Sequence, residues 1–312
     1  MKMQTRSLRR LSGVLLVLAV VATACGSSSK SSTTTGGTSG STANKGTLTI
    51  GGFNFSESSI LANIYAGALR ADGWTVNVRP NLGSREVVAP ALQRGDVDLY
   101  LGYAATDLEY YNNNAGQATP DADATATKLR AALASKNLTA LNPSPAVDQN
   151  AFGVTQATAD KYKLKKLSDL APIAGQLTLG GPAECPTRPF CAKGLDDKYG
   201  IKFKSFKALD SGGPLTKTAL KSGDIDVGLL FTSDAKGFVV LDDDKKLQNA
   251  DAVIPIIRTD KATDDVKTVL NKVSAALTSD DLSGLNDRAN VNKEDPDAIA
   301  QSWLTQHGFA KK

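Results

Sequence analysis

Histidine is nearly absent from this chain of 312 residues, in which His307 is the single example. One imidazole excludes metal sites that need several histidines and gives a Ser-His hydrolase arrangement little support. The sequence also offers no nucleophile paired with a base, no P-loop and no cluster of metal-ligand residues. These absences lead us to predict a protein that is not an enzyme and that binds no cofactor or metal ion.

A net charge is also missing once the first residues are set aside. The chain has 36 basic and 32 acidic residues. Lys2, Arg6, Arg9 and Arg10 all precede position 25, in a stretch without acidic residues. The rest of the chain is therefore neutral, and it has no basic stripe with interleaved aromatic residues, so we predict no nucleic-acid partner.

The N terminus has the pattern of an export signal. Arg9 and Arg10 precede an apolar run of nine residues, Val14–Ala22. This run is about half of the ~20 residues that a membrane-spanning helix needs. A basic start, a short apolar centre and small residues after it are typical of a secretory signal, which we predict over residues 1–24.

The residues after that run, Thr23–Gly26, resemble the lipobox of bacterial lipoproteins, in which the cysteine becomes the lipidated first residue. Ala22 stands where the motif usually has leucine, and the alternative is a plain secretory signal with an incidental cysteine. Gly, Ser and Thr then predominate up to Asn44, which predicts a flexible linker over residues 25–45. We therefore expect an exported protein that Cys25 attaches through lipid to the outer face of the bacterial cytoplasmic membrane.

The other two cysteines, Cys185 and Cys191, are six positions apart. In an oxidising compartment two such residues can close a small disulfide ring. The alternative is half of a metal site, but no further cysteine remains and the lone histidine is far away in the sequence. The spacing therefore favours a disulfide.

Beyond Gly46, short β-rich runs alternate with helical patterns, which is typical of α/β architecture with largely parallel sheets. The pattern predicts strands over residues 47–50, 74–78 and 97–101 and a helix over residues 86–94.

A self-similarity far along the chain predicts two lobes. Ala91–Leu99 matches Ala219–Val227 with an offset of 128 residues, and each copy has a helix end, a glycine and a strand. This offset suits two similar domains, although a helix–Gly–Asp–strand unit also recurs by chance in α/β proteins. We expect Asp98 and Asp226 to lie within the strands rather than to bind metal.

Polar and aromatic residues follow the strand of each copy, with Tyr103 and Thr106 in the first and Phe231 and Thr232 in the second. Ligands bind at the carboxyl ends of strands in open α/β sheets. A turn of small residues, which includes Ser84 in the first copy, precedes each helix, and helix N-termini attract carboxylates.

With these motifs the sequence resembles the substrate-binding subunits of bacterial ABC importers for glycine betaine, choline and related osmoprotectants. The matching segments are Gly51–Ser58, Gly83–Val88, Ala91–Tyr103, Pro182–Arg188, Leu209–Gly212 and Leu282–Phe309. The resemblance implies a type II periplasmic-binding-protein fold, in which two crossover segments join two α/β lobes around a ligand cleft. It also implies a monomer that delivers a small solute to membrane permease subunits, which a cytoplasmic ATPase drives.

The resemblance also sets the expected lobe boundaries. The first lobe comprises residues 46–147 and 242–312, and the second comprises residues 148–241. The first crossover is expected near Ala146–Gln149 and the return near Leu241–Asp244.

Members of this family usually hold a quaternary ammonium in a cage of tyrosines. The resemblance places Tyr103 at a cage position and Thr106 and Arg188 at carboxylate contacts. The chain departs from the pattern at Phe53, where lysine is usual, and near Asn150, where a cage tyrosine is usual. The depleted cage leaves open a different small polar or aromatic solute, or a ligand-sensing role. The full set of predicted ligand contacts is Asn54, Phe55, Ser84, Tyr103, Thr106, Asn150, Arg188, Phe231 and Thr232.

Overall fold

The computed structural model describes residues 44–310. The predicted signal peptide, Cys25 and nearly all of the linker lie outside the described residues. The strands in chain order are β1 (Thr47–Gly51), β2 (Thr75–Arg79), β3 (Leu99–Tyr103), β4 (Leu138–Ala140), β5 (Asn150–Val154), β6 (Thr178–Pro182), β7 (Ser205–Leu209), β8 (Val227–Phe231), β9 (Val239–Val240) and β10 (Val253–Arg258). The helices are α1 (Ser56–Ala71), α2 (Arg85–Arg94), α3 (Ala104–Tyr111), α4 (Ala122–Leu133), α5 (Gln156–Tyr162), α6 (Ala192–Tyr199), α7 (Pro214–Ser222), α8 (Asp264–Ala276), α9 (Ser279–Asn290) and α10 (Pro296–Gln306).

The strands form two five-stranded sheets with equivalent topology. The first sheet has the order β2-β1-β3-β10-β4 and the second has the order β7-β6-β8-β5-β9. In each sheet the three strands named first pair in parallel, and the fourth joins them antiparallel. Each sheet has its own hydrophobic core, and the C-terminal helices pack on the first. The two-lobed α/β architecture predicted from the sequence is therefore present.

The chain passes twice between the lobes at one place. Val147 and Ala252 form an antiparallel bridge between the two crossing segments. Leu241 and Leu247 are buried in the core of the second lobe, and the amide of Ala250 is the first to hydrogen-bond with the first lobe again. The return therefore lies after Leu247, later than the expected position near 241–244, because these two leucines keep the chain packed in the second lobe.

The internal repeat is a structural duplication. Gly95 and Gly223 end α2 and α7 in the left-handed conformation, with φ of 81° and 78°. The Asp98 carboxylate accepts a hydrogen bond of 2.8 Å from the amide of Thr49. Asp226 likewise accepts one of 2.8 Å from the amide of Thr178.

The placement of these two aspartates within strands was wrong. β3 begins at Leu99 and β8 at Val227, so each aspartate lies just before its strand. There each carboxylate accepts a hydrogen bond from a backbone amide of the neighbouring parallel strand, β1 or β6. This bond holds the turn between the preceding helix and the strand. The third strand is consequently displaced by two residues from its predicted range.

A disulfide joins Cys185 and Cys191, whose Cα atoms are 5.2 Å apart, so the predicted pairing is confirmed. Within residues 44–310, no three His, Cys, Asp or Glu side chains are grouped as metal ligands. None of the helices in that range has the length and apolar character needed to cross a membrane.

Candidate ligand-binding site

A cavity lies between the lobes at the carboxyl ends of their strands. Phe53, Asn54 and Phe55 reach it from the turn after β1, Tyr103 ends β3, and Phe231 ends β8. This is the edge at which ligands bind in open α/β sheets. Of the nine predicted contacts, the structure brings eight to the lining, and these are Asn54, Phe55, Ser84, Tyr103, Thr106, Asn150, Arg188 and Phe231.

Aromatic rings from both lobes form one wall of the cavity. The Phe55 ring centroid lies 5.7 Å from Phe53, 6.2 Å from Tyr103 and 5.6 Å from Phe231. Phe55 belongs to the first lobe and Phe231 to the second, so the wall is complete only when the lobes approach each other. Tyr103 is the one tyrosine among the described lining residues.

A buried hydrogen-bond network stands behind this wall. The Tyr103 hydroxyl donates to the Glu57 carboxylate at 2.5 Å, and the Ser233 hydroxyl donates to it at 3.1 Å. The Asn286 amide also donates to Glu57. Burial raises the pKa of Glu57, and these donors only partly offset the effect. Since Ser233 belongs to the second lobe, the network links the two lobes.

Asp148 brings a second buried carboxylate to the cavity from the first crossing segment. Its Oδ1 accepts hydrogen bonds from the Thr232 hydroxyl at 2.9 Å and from the Ser233 amide at 2.8 Å. Burial, followed by the charge of Glu57, raises the pKa of Asp148 well above its ordinary value. Thr232, the ninth predicted contact, is absent from the lining, and its hydroxyl orients Asp148 instead.

Arg85, at the first position of α2, lines the cavity beside the aromatic wall, with its guanidinium carbon 5.3 Å from the centroid of the Phe53 ring. Its Nε donates to the Asp107 carboxylate at 2.6 Å, and both side chains are buried. Asp107 also accepts hydrogen bonds from the Tyr100 hydroxyl and from the amide of Tyr103. Because three donors hold the Asp107 carboxylate, the Arg85 guanidinium has a defined position.

The predicted contact Thr106 is joined to a buried aspartate of the return segment. The Thr106 amide donates to Asp251 Oδ1 at 2.8 Å, and its hydroxyl donates to Oδ2. Burial raises the pKa of Asp251 to about 6 despite these two bonds. Both residues line the cavity.

Arg188 lies at the cavity edge and spans the two lobes. Its Nη2 contacts Glu86 Oε2 at 2.9 Å and Oε1 at 3.1 Å, and it also contacts Glu184 at 3.1 Å. Glu86 is on α2 of the first lobe, whereas Arg188 and Glu184 belong to the second. The Ser84 hydroxyl donates to Glu86 and supports the pair. Arg188 therefore connects the lobes, and its contact with a solute carboxylate stays a prediction.

Sequence reasoning did not select four charged lining residues, namely Arg85, Asp148, Glu184 and Asp251. Three of them lie in segments that it had singled out, and Glu184 belongs to the matching segment Pro182–Arg188. Arg85 directly follows Ser84 in the turn before α2, and Asp148 lies in the predicted first crossover. Asp251 lies in the return crossover, whose position was misplaced.

Two α/β lobes with a polar and aromatic cavity between them define a solute-binding protein of the two-lobed class. Comparison with known protein families identifies the particular family of solute-binding proteins. Residues 46–306 match the substrate binding domain of the ABC-type glycine betaine transport system, and the chain belongs to this family. The resemblance identified from the sequence is confirmed, as is the non-enzymatic, substrate-binding role that it implies.

Individual relatives have low sequence identity to this chain, but they match most of its length. The carnitine transport binding protein OpuCC of Listeria monocytogenes is 28% identical over 86% of this chain and 89% of its own length. The glycine-betaine-binding protein of Pseudomonas aeruginosa is 26% identical over 84% of this chain and 88% of its own. A crystal structure described as a glycine betaine/carnitine/choline ABC transporter superposes with a TM-score of 0.65 and 25% identity, covering 84% of this chain and 99% of that one.

Proposed function

We propose that this protein captures a small quaternary ammonium solute, such as glycine betaine, carnitine or choline, and delivers it to the permease of an ABC importer. The observation that carries the proposal is the aromatic wall of Phe55, Tyr103 and Phe231 in the cavity between the lobes. A quaternary ammonium donates no hydrogen bonds and is attracted by aromatic faces. The names of the Listeria and Pseudomonas relatives, which refer to carnitine and glycine betaine, agree with this solute class.

Capture would couple to closure of the lobes. Phe55 and Phe231 come from different lobes and their ring centroids lie 5.6 Å apart, so a solute that binds against this pair contacts both lobes at once. A ligand favours the closed state only through contacts that are better there than in the open state. The interlobe hydrogen bonds that Ser233 donates to Glu57 and that Arg188 donates to Glu86 belong to the same closed arrangement. The closed form would then be the one that a permease recognises.

Calorimetric titration of the purified chain with glycine betaine, carnitine and choline tests this proposal. At least one of them should bind, and Phe55→Leu should weaken that binding about 2- to 30-fold, because leucine keeps an apolar side chain but removes the ring. Phe206→Leu is the matched control, since Phe206 lies in β7 away from the cavity lining and should leave affinity unchanged. If none of the three binds and a neutral polar or aromatic solute does, the importer serves the alternative substrate class.

We further propose that the protein is exported and held at the outer face of the cytoplasmic membrane by lipid on Cys25. The export pattern before Cys25 and the Gly/Ser/Thr-rich segment after it support this. Labelled palmitate should enter the wild-type chain but not Cys25→Ala, which should appear in the medium. Retention of Cys25→Ala on the membrane would contradict the anchor. Uptake of labelled solute that depends on the chain separates an importer from a sensor.

A further inference from the structure

Two buried acids from opposite sides of the cleft meet at Ser233 of the second lobe. Glu57, on α1 of the first lobe, is 5% exposed and accepts a hydrogen bond of 3.1 Å from the Ser233 hydroxyl. Asp148, just before β5 of the second lobe, is 4% exposed and accepts one of 2.8 Å from the Ser233 amide. Since a single residue of the second lobe binds both acids, opening of the lobes would separate Glu57 from Asp148.

Neither acid has a basic partner in the described part of the chain. The charged and titratable groups on the elements around them are Arg85, Tyr103, Asp107, Lys217, Asp234 and Asp251. Arg85 is paired with Asp107 and Lys217 with Asp234, each at 2.6 Å. Within residues 44–310 no ion pair includes either of the two acids. Two like charges buried together without a counter-ion are unfavourable, so one of them is better replaced by a proton.

The hydrogen bonds indicate which oxygen would carry that proton. The charge of Glu57 is stabilised by three hydrogen-bond donors, namely Tyr103, Ser233 and Asn286. Asp148 accepts both of its side-chain hydrogen bonds at Oδ1, and no donor within residues 44–310 reaches Oδ2. Oδ2 can therefore take a proton without losing a hydrogen bond. The raised pKa of Asp148, caused by burial and then by the charge of Glu57, agrees with this assignment.

We propose that Glu57 and Asp148 share one proton in the closed form, so that closure of the lobes takes up a proton and is favoured by acid. In the open form water solvates both carboxylates, and each ionises near its ordinary pKa of about 4. The closed form keeps its proton to a higher pH. The ratio of closed to open form should therefore fall as pH rises above about 4, by up to about 10-fold per pH unit, until the closed pair has also ionised.

Small-angle X-ray scattering of the solute-free protein between about pH 4.5 and pH 8 tests this proposal, because it measures closure without a ligand. In the wild type the ratio of closed to open form should fall at least about 10-fold over this range. The double variant Glu57→Gln with Asp148→Asn removes both titrating groups but keeps their shapes, and it should lose most of the fall. Glu57→Gln alone removes the like charge beside Asp148, so it should move the fall to lower pH.

An ion pair across the same interface provides the matched control. Lys236 of the second lobe contacts Asp287 on α9 of the first lobe at 2.9 Å. Lysine keeps its charge over this pH range, so Lys236→Gln should lower the ratio of closed to open form about equally at every pH and keep the fall. Asp251, the third buried acid of the cavity, accepts its side-chain hydrogen bonds from Thr106 of the same lobe, and opening does not separate those two residues.

The outcomes separate this inference from the proposed function. A wild-type ratio that is the same at both ends of the pH range would overturn the inference, and so would a double variant that keeps the wild-type fall. Circular dichroism at each pH distinguishes opening from unfolding. If the double variant does not fold, an unshifted fall in Glu57→Gln overturns the inference instead. Since no solute is present, each of these results leaves the proposed solute class untouched, and a failure to bind quaternary ammonium compounds leaves this inference standing.

Discussion

The ion pair between Arg188 and Glu86 should contribute measurably to lobe closure, because it joins the two lobes. It joins the lobes through two guanidinium nitrogens, Nε and Nη2, and both carboxylate oxygens, and the side chains are 22% and 44% exposed. Partly exposed pairs are worth about 0.2–1 kcal/mol. Glu86→Gln removes the charge without removing bulk, and Glu86 is absent from the cavity lining, so the change should act on closure rather than on ligand contact. Since the proposed function has solute bind the closed form, the dissociation constant should rise roughly 1.4- to 5-fold.

Titration calorimetry at low and at high salt measures this effect. Salt screens an exposed ion pair, so wild-type affinity should fall between about 50 and 500 mM NaCl, whereas the affinity of Glu86→Gln should change less. Lys193→Gln is the matched control, because Lys193 pairs with Asp197 within α6 and touches only the second lobe. Equal dissociation constants for Glu86→Gln and the wild type at low salt would refute a role of the pair in closure.

Three further changes test the fold. Replacing Cys185 and Cys191 by alanine opens a ring with a sequence separation of 6 and should lower the free energy of unfolding in urea by about 2 kcal/mol, whereas an unchanged midpoint would show that the ring is not stabilising. Gly223→Ala should cost about 1 kcal/mol in the same assay, because φ is 78° there although a Cβ meets open space, and a neutral result would contradict the backbone argument. The carboxyl group of Asp251 has its pKa raised to about 6, so between about pH 4 and pH 6 the native state holds a proton that the unfolded state has lost. The free energy of unfolding should therefore fall by up to about 3 kcal/mol as pH rises through that window, and Asp251→Asn should show a shallower decline; parallel pH curves would contradict this assignment.

The sequence supported the fold because its signals are local and occur twice. The segment from Ala91 to Leu99 and its copy from Ala219 specify a helix end, a left-handed glycine and a buried strand without reference to distant residues. Two copies in one chain imply two sheets, and both sheets formed with equivalent strand order. The return crossover was predicted too early in the sequence, because the charged run Asp242–Asp244 has the composition of a solvated turn. Leu241 and Leu247 are buried on either side of that run, and they keep the chain in the second lobe.

The chemistry of the cavity was harder to predict, since it depends on which polar groups remain unpaired after folding. Ser84 and Arg85 are adjacent in the sequence, but the Ser84 hydroxyl is used by Glu86, while Asp107, 22 positions from Arg85, engages only one of the arginine's nitrogens. Likewise Thr232 was selected as a contact, and its hydroxyl instead positions Asp148, 84 positions away. A linear pattern shows which residues carry charge. Only the folded arrangement shows which charges are already neutralised by neighbouring groups.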